Sequence, residues 1–466
     1  MTALHEMGAR ELAARYGSGV LSPVEVARAV IERIARWEPH LHALWSYSAD
    51  AALAQARESE ARWRAGRALS ALDGVPLTLK DNIATRGLAV PLGTAASDLV
   101  PAAEDAPPAA RLREAGAVLL AKTTMPDYGM LSSGLSSFHA LARNPWNLAT
   151  NPGGSSAGAG AAAAAGYGPL HLGTDIGGSI RLPAAWCGIV GLKPSLGRVP
   201  IKPPYIGRVA GPMTRSVEDA AALMSVVARA DWRDATSLPP QAIDWSALDG
   251  DARGLRLALL LDGGWGLACD PEIVAAVTRA ARLFEQAGAS VEPLAPFCTR
   301  EMADGIDLFW RVRSWLDISA LPPERRERVL PFIRQWVAGG AGASAAELFR
   351  GFGQFAALRD ASVAACQPFD FVLSPVAPLA SFPAEHAMPT NDPARAMEHI
   401  AFTLPYNMSE QPAISVPCAH HSNGAPIGLQ IAGRRHDDLG VLRLARAWER
   451  LRPADALRPW PEPPAA

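Results

Sequence analysis

Cysteine is scarce in this sequence and thinly spread. The five cysteines are Cys187, Cys269, Cys298, Cys366 and Cys418. Their number is odd and no two form a C-x-x-C pair, which fits free thiols in a reducing compartment. Zinc sites need ligands at short spacings, and these cysteines supply none. His386 and His399 stand apart, and the adjacent pair His420 and His421 points in two directions on most backbones. We therefore expect no metal site.

An excess of one charge, long apolar runs and a nucleotide-binding motif are also missing. The 44 lysines and arginines nearly balance the 46 aspartates and glutamates, so nothing points to nucleic acid or to an anionic membrane. No stretch of about 20 apolar residues could span a bilayer. Residues 1–17 carry acidic side chains and no apolar signal-peptide core. The phosphate-binding pattern G-x-x-x-x-G-K-[ST] does not occur. We expect a cytoplasmic protein that binds neither nucleic acid nor membrane.

Apolar residues, by contrast, make up 49% of the chain, which is ample for a large buried core. Ser22 and Glu25 form a capping box, so a helix is predicted to begin at Ser22. Further helices are predicted at 49–67, 109–116, directly after Ser156, and at 271–287, 397–403 and 440–452. Buried strands are predicted at 75–79, 117–121, 170–174, 255–261, 413–417 and 428–432. Several prolines indicate that 375–393 is a surface loop.

The most informative stretch spans residues 151–181 and reads NPGGSSAGAGAAAAAGYGPLHLGTDIGGSIR. It holds two glycine-serine turns, at 153–156 and 177–179, separated by alanine and glycine. Glycine lets a ligand approach the main chain, and consecutive N–H groups in such a turn can converge on an oxyanion. Two ordinary loops are one alternative. Another is the nucleophile elbow G-x-S-x-G at 154–158, but that turn follows a strand and turn-forming residues precede it here.

Lys80 ends the strand predicted at 75–79. A lysine in this position usually extends its side chain to solvent. The alternative is a lysine held beside an active site, where burial lowers its pKa and makes it a neutral base.

Together these segments resemble the amidase signature family of serine amidohydrolases. The matching segments are 74–81, 152–156, 173–181, 187–194, 211–213, 411–417 and 428–431. The likeness extends over about residues 5–450 and is weak only at 229–370. One position departs from the family's G-G-S-S-G-G pattern, since Ala157 stands where a glycine is usual. Alanine is acceptable there if the position is already helical.

The resemblance implies one large α/β domain, residues 1–466, with a central mixed β-sheet flanked by helices. Residues 1–70 would form a helical N-terminal arm. The catalytic core would comprise 71–228 and 371–450, and the variable region 229–370 would determine the substrate. The proline-rich segment 457–466 is expected to be a loose tail.

A Ser-Ser-Lys triad is implied as well. Ser179 would be the nucleophile, Ser155 the bridging serine, and Lys80 the base. In the family the bridging serine follows a cis peptide bond, here Gly154–Ser155. The implied oxyanion hole consists of the N–H groups of Ile176, Gly177, Gly178 and Ser179. Asp175 and Arg181 are expected to fix that turn by charge-assisted hydrogen bonds.

Substrate contacts are expected from other segments. Tyr128, Gly129 and Met130 fall in a loop that forms the acyl pocket in relatives. Ser156 is expected to hydrogen-bond beside the substrate, and Tyr205 to cover the site. Aromatic residues of the variable region at helical spacing are more often core than pocket. They are Phe309, Trp310, Trp315, Phe332, Trp336, Phe352 and Phe355.

The function implied is cofactor-independent hydrolysis of a carboxamide C–N bond through an acyl-enzyme on Ser179. The expected substrates are small to medium amides with an apolar or aryl part, with esters or carbamates also open, and a homodimer is possible. The alternative is an amidotransferase A-type subunit that releases ammonia from glutamine for a partner. Those proteins carry an aspartate shortly before F/L-T-x-P, and residues 399–403, HIAFT, hold no acid. An inactive scaffold is a third possibility, which the intact triad opposes.

Overall fold

The computed structural model describes residues 3–464, and within them eleven strands form one sheet. The strands are Leu44–Trp45 (β1), Pro76–Lys80 (β2), Val118–Thr123 (β3), Leu170–Asp175 (β4), Val190–Lys193 (β5), Val209–Thr214 (β6), Arg256–Leu259 (β7), Ser290–Pro293 (β8), Phe371–Pro375 (β9), Ala413–His420 (β10) and Pro426–Gly433 (β11). Their order across the sheet is β1-β3-β2-β4-β6-β5-β10-β11-β9-β7-β8. The prediction of an α/β fold with one central mixed sheet is confirmed.

Parallel and antiparallel pairing occupy different parts of the sheet. β2 pairs in parallel with β3 and β4, and β7 pairs in parallel with β8 and β9. The strands between β4 and β9 pair antiparallel. Parallel neighbours end at the same edge of a sheet. Lys80 at the end of β2 and Asp175 at the end of β4 are therefore brought to one edge.

Fourteen α-helices accompany the sheet in the described part of the chain. They are Ala9–Gly17 (α1), Pro23–Leu41 (α2), Ala49–Arg64 (α3), Pro107–Glu114 (α4), Ala157–Ala165 (α5), Arg181–Cys187 (α6), Val217–Val227 (α7), Pro271–Gln286 (α8), Arg300–Ser319 (α9), Pro323–Arg326 (α10), Pro331–Ala338 (α11), Ala345–Cys366 (α12), Leu404–Met408 (α13) and Asp438–Leu451 (α14). The capping box is confirmed, because Ser22 accepts from the N–H of Val24 and the Glu25 carboxylate accepts from the N–H of Ser22.

Helix α5 explains the alanine-glycine run, since every one of its residues is buried. A Cβ atom at Gly158 would lie 2.1 Å from the carbonyl oxygen of Ala43 and 2.5 Å from the amide nitrogen of Thr124. The helix therefore packs against neighbouring backbone more closely than a side chain would allow. Ala157 is its first residue, so alanine is accommodated there as expected. Ser156 directly precedes the helix.

Two predictions about the segment between β9 and β10 were wrong. Residues 397–403 form turns, and the helix begins only at Leu404. Pro405 has no N–H to donate, so it is tolerated in a first helical turn and not further inside a helix. The predicted surface loop at 375–393 has no α-helix or strand beyond Pro375, but much of it is buried, including Val376, Ala384 and Met388. Its prolines interrupt regular structure without placing the segment at the surface.

The ends of the described chain are held by contacts with the core. The guanidinium of Arg33 donates to the carboxylate of Glu462 at 2.6 Å and to the carbonyl of Pro461 at 2.9 Å. Arg215 lies over the ring of Trp460 at 4.5 Å. The segment predicted as a loose tail is thus anchored at 460–462, and its last two residues lie outside the described part. No helix in residues 3–464 is long and apolar enough to cross a membrane.

Candidate active site

The candidate site is a cleft at the sheet edge where β2 and β4 end. Ser155, Ser179 and the turn that follows β4 line it on one side. Its other walls come from the 128–132 loop, from α9 and from the segment before α13. Apolar and polar side chains both line it, as is usual for small-molecule sites.

Lys80 lies behind Ser155, which lines this cleft, and is completely buried. Its Nζ is 2.7 Å from the hydroxyl oxygen of Ser155 and 3.0 Å from that of Ser156. Burial lowers the pKa of Lys80 to about 7, although the nearby carboxylates Asp175 and Asp81 act in the opposite direction. A substantial neutral fraction near neutral pH follows, so this amine can accept a proton. The alternative that Lys80 extends to solvent is excluded.

The first glycine-serine turn holds Ser155 in place through unusually close backbone packing. The Gly154–Ser155 peptide bond is cis, as the resemblance implied. Gly153 has a φ of 84°, and a Cβ atom there would lie 2.4 Å from the ring of Trp186. A Cβ atom on Gly154 would lie 2.3 Å from the amide nitrogen of Ser133. Only glycine fits at both positions, which explains the pair in the sequence.

Asp175 and Arg181 fix the second turn, as predicted. The Asp175 carboxylate accepts from the N–H groups of Gly178 at 2.8 Å and Ile180 at 3.0 Å. Arg181 donates to both of its oxygens, at 2.9 and 3.1 Å, and Asn407 donates at 2.9 Å. Burial would raise the pKa of Asp175, but the Arg181 ion pair outweighs it and keeps that pKa low. The carboxylate therefore stays charged and holds the turn rigidly.

The predicted oxyanion hole is only partly available. The N–H groups of Ile176, Gly177 and Ser179 have no acceptor among residues 3–464, and all three residues line the cleft. Gly178 does not fit the predicted oxyanion hole, because its N–H already donates to Asp175 and the residue does not line the cleft. Three N–H donors thus remain for a developing negative charge.

The Ser179 hydroxyl makes no hydrogen bond within the described residues, so its link to Ser155 is not formed. The two turns are nevertheless joined, since the N–H of Ser156 donates to the carbonyl of Ser179 at 3.2 Å. Ser155 and Ser179 both line the same cleft.

Of the predicted substrate contacts, Tyr128, Gly129 and Met130 line the cleft. Ser156 does not line the cleft, contrary to the prediction that it lies beside the substrate. Its hydroxyl is fully buried, lies beside Lys80, accepts from the N–H of Thr174 at 3.2 Å and donates to the carbonyl of Thr174 at 3.1 Å. Ser156 therefore supports the lysine and does not itself line the cleft.

Among the aromatic residues of the variable region, Trp310 and Trp336 line the cleft. Phe309, Phe352 and Phe355 instead pack on one another, with ring centroids 5.2 to 5.8 Å apart. The expectation that most of them are not pocket residues is confirmed. Tyr205 also lines the cleft.

Several further cleft residues were not predicted. They are Asn82, Leu131, Ser132, Arg208, Arg313, Ser314, Met388, Met397 and Ile400. Some had a local signal, because Arg313 and Ser314 lie three and four residues after Trp310 and share its helix face. Arg208 had none, since nothing near it in sequence marks a cleft.

Comparison with known proteins agrees with the resemblance that the sequence motifs indicate. The family model described as Amidase matches residues 25–442. The A-type subunit of the glutamyl-tRNA(Gln) amidotransferase of Myxococcus xanthus is 37% identical, over 94% of this chain and 96% of its own. An acylamidase of Rhodococcus erythropolis is 34% identical, over 97% of this chain and 98% of its own. A solved bacterial aryl acylamidase has a TM-score of 0.89 and 30% identity over 96% of both chains. The chain therefore belongs to the amidase signature family.

Proposed function

We propose that this protein hydrolyses the C–N bond of small carboxamides through an acyl-enzyme on Ser179, with Lys80 as the base and Ser155 between them. The observation that carries the proposal is the 2.7 Å separation between the buried Lys80 nitrogen and the Ser155 hydroxyl. A serine hydroxyl needs a base to become an effective nucleophile. Lys80 is the group that burial prepares for this role.

The reaction proceeds by one proton relay used in both directions. Neutral Lys80 accepts the Ser155 proton while Ser155 accepts that of Ser179, and Ser179 Oγ bonds to the carbonyl carbon. The oxyanion accepts hydrogen bonds from the N–H groups of Ile176 and Gly177 and from that of Ser179. Each such donor is worth about 10²–10³ in rate. Ser155 returns a proton to the leaving amine, the C–N bond breaks, and water then cleaves the acyl-enzyme by the same relay.

The rest of the cleft favours substrates with an apolar or aryl part. Trp310, Trp336 and Ile400 contribute flat and branched apolar surface, and Met388 and Met397 add flexible side chains. The named activities of two relatives, an acylamidase and an aryl acylamidase, agree with this preference. Esters and carbamates present a similar carbonyl and belong to the same proposal.

An amidotransferase A-type subunit is the second candidate, favoured by the relative from Myxococcus xanthus. Its substrate would be glutamine, which carries a free ammonium group. Asp175 is the acidic residue among the described lining residues, and its carboxylate is bound to Arg181 and the turn. The cleft thus offers no free acid for that ammonium group. Glutamine-dependent ammonia release without detectable aryl amide hydrolysis would favour this candidate.

A different serine in the cleft provides a rival nucleophile. The hydroxyl of Ser132 is 2.7 Å from Nε2 of His399. Burial lowers the pKa of His399 to about 3, so the ring is neutral. No carboxylate among the described residues is bonded to its Nδ1, however, so the pair lacks the acid that orients the histidine in serine hydrolase triads.

A labelling experiment tests the assignment. Wild type, Ser179→Ala, Ser132→Ala and Lys80→Ala are treated with a fluorophosphonate and the adduct is located by mass spectrometry. An adduct on Ser179, slowed in Lys80→Ala and retained in Ser132→Ala, is expected. The exposed Ser225→Ala variant serves as the control. An adduct on Ser132 would replace Ser179 with the Ser132–His399 pair, and no adduct on any serine would reject the acyl-enzyme.

A further inference from the structure

Two arginines line the cleft, and neither is paired with a buried acid among the described residues. Arg208 directly precedes β6 and is partly buried. Its Nη2 donates to the carbonyl of Pro203, whereas Nε is buried without an acceptor. Its Nη1 has no acceptor among residues 3–464, and no carboxylate in that range lies within 4.0 Å of the guanidinium. Arg208 thus has hydrogen-bond donors to spare.

Arg313 approaches the same part of the cleft from α9. Its guanidinium lies over the ring of Tyr205 at 4.9 Å. It also pairs with Asp317 at 3.4 Å, but both side chains are about half exposed, at 46% and 59%, so this pair is weak. The Tyr205 hydroxyl is buried and has no partner among the described residues. Two cations and one hydroxyl group therefore lie close together with little to bind.

The acids around this group are already engaged. Asp175 is held by Arg181 and its own turn. Asp234 attracts Arg208 from beyond ion-pair distance, but its carboxylate accepts from the N–H of Ile201 at 2.8 Å and from Thr236 at 2.7 Å. A partly buried cation without a partner is costly, and a bound anion would remove that cost. The planar guanidinium fits a carboxylate best, because both of its oxygens can accept in parallel.

We propose that the cleft takes amides that carry a carboxylate group, and that Arg208 and Arg313 bind this group with the Tyr205 hydroxyl as a further donor. This inference rests on the proposed function, since it concerns the substrate of the same cleft. A free amino acid fits poorly, because no uncommitted acid awaits its ammonium group. N-acyl amino acids, with the carboxylate on the amine side, and monoamides of dicarboxylic acids, with it on the acyl side, both satisfy the site.

Matched substrate pairs show whether the bound carboxylate belongs to the acyl side or to the amine side of the amide. On the acyl side, succinic acid mono-4-nitroanilide is compared with 4-methylpentanoic acid 4-nitroanilide, where an isopropyl group replaces the carboxylate. On the amine side, N-butanoyl-4-aminobenzoate is compared with N-butanoyl-4-aminoacetophenone. In one pair at least, the charged member is expected to have the higher kcat/KM. That preference should fall about ten- to a hundredfold in Arg208→Gln, mainly through KM, because a charge-assisted hydrogen bond is lost.

Control variants separate a specific contact from a general loss of charge. Arg208→Lys is expected to keep part of the preference for the charged substrate. Arg313→Gln is expected to lower that preference while leaving the partly buried Arg208 unchanged. Arg350→Gln, an exposed arginine of α12, is expected to keep all of it. Equal kcat/KM within both pairs would overturn the proposal. So would a preference that survives in both Arg208→Gln and Arg313→Gln.

Binding without turnover separates this proposal from the proposed function. Ser179→Ala is titrated calorimetrically with N-butanoyl-4-aminobenzoate and with succinic acid mono-4-nitroanilide. Binding of at least one of them is expected, and it should weaken at least about tenfold when Arg208→Gln is added. Hydrolysis of only the neutral amides, with no such binding, would leave the amidase proposal standing and reject the carboxylate site. Charge-dependent binding in a protein that hydrolyses no amide would leave the carboxylate site standing and reject the amidase proposal.

Discussion

Nζ of Lys80 lies 2.7 Å from the Ser155 hydroxyl, and the nearest acids are bound to other groups. Asp81 accepts from the backbone N–H groups at 92 and 93 and pairs with His139 at 2.8 Å. Asp175 is paired with Arg181. The lysine is therefore buried among hydroxyl groups instead of carboxylates, and its charged form gains no direct ion pair.

The first prediction concerns pH. Because burial lowers the pKa of Lys80 to about 7, the neutral base forms as the pH rises through that value. Below it, kcat/KM for an aryl amide is expected to rise about tenfold per pH unit and then to level off. Lys122 and Lys193 also have pKa values lowered to about 7 by burial, but Lys122 donates to Thr85 and Lys193 donates to the carbonyl of Pro194, so neither is placed to act on Ser155. A profile that is flat from about pH 5 upward would contradict the role of Lys80.

A second prediction separates the two neighbouring serines. Ser155→Ala removes the hydroxyl group placed between Lys80 and the cleft, so kcat should fall by about 10²–10⁴. Ser156→Ala removes a hydrogen bond to Lys80 that is not part of the relay, so kcat should fall only about tenfold. The measurement is kcat at saturating substrate, with circular dichroism to confirm folding. Equal losses in the two variants would mean that the relay is misassigned.

The sequence anticipated the parts of the site that depend on local patterns. The strand ending at Lys80, the two glycine-serine turns and the ion pair between Asp175 and Arg181 each have their signal within a few residues. Their positions in the fold agree with the predictions because a strand end or a glycine turn places its side chains without help from distant segments. The resemblance then connected these pieces, and the sheet topology brings β2 and β4 side by side.

What the sequence did not reveal depends on contacts between distant segments. The Gly178 N–H donates to Asp175, only three residues away, but the same Asp175 oxygen also accepts from Asn407, which is far away in the sequence. Ser156 points away from the cleft because its hydroxyl group accepts from the N–H of Thr174 and donates to the carbonyl of Thr174, at the end of β4. Arg208 reaches the cleft only through the packing around β6. Such choices among hydrogen-bond partners are decided by tertiary packing.

A third prediction concerns the ion pair under the oxyanion turn. Asp175→Asn removes the charge that Arg181 faces in a fully buried place. Breaking one partner of a buried pair costs about 3–5 kcal/mol, so the free energy of unfolding in urea should fall by that amount. Activity should fall as well, because the Gly178 and Ile180 N–H groups lose a charged acceptor. Glu11→Gln at the exposed pair with Arg15 is the control and should cost at most about 1 kcal/mol. Similar losses in both variants would show that the buried pair contributes no special stability.

The last prediction contrasts two glycines in helices. In Gly158→Ala, the new methyl group would lie 2.1 Å from the carbonyl oxygen of Ala43, a backbone atom that cannot move aside cheaply. The free energy of unfolding should fall by about 1–3 kcal/mol or more. In Gly353→Ala, at an exposed position of α12, a Cβ atom has nothing within 4 Å, so stability should rise by about 0.5–1 kcal/mol. Because Ser156 directly precedes α5, the first variant should also lose activity and the second should not. A stable, fully active Gly158→Ala protein would mean that α5 can move away from the sheet, and the placement of Ser155 and Ser156 beside Lys80 would then need another explanation.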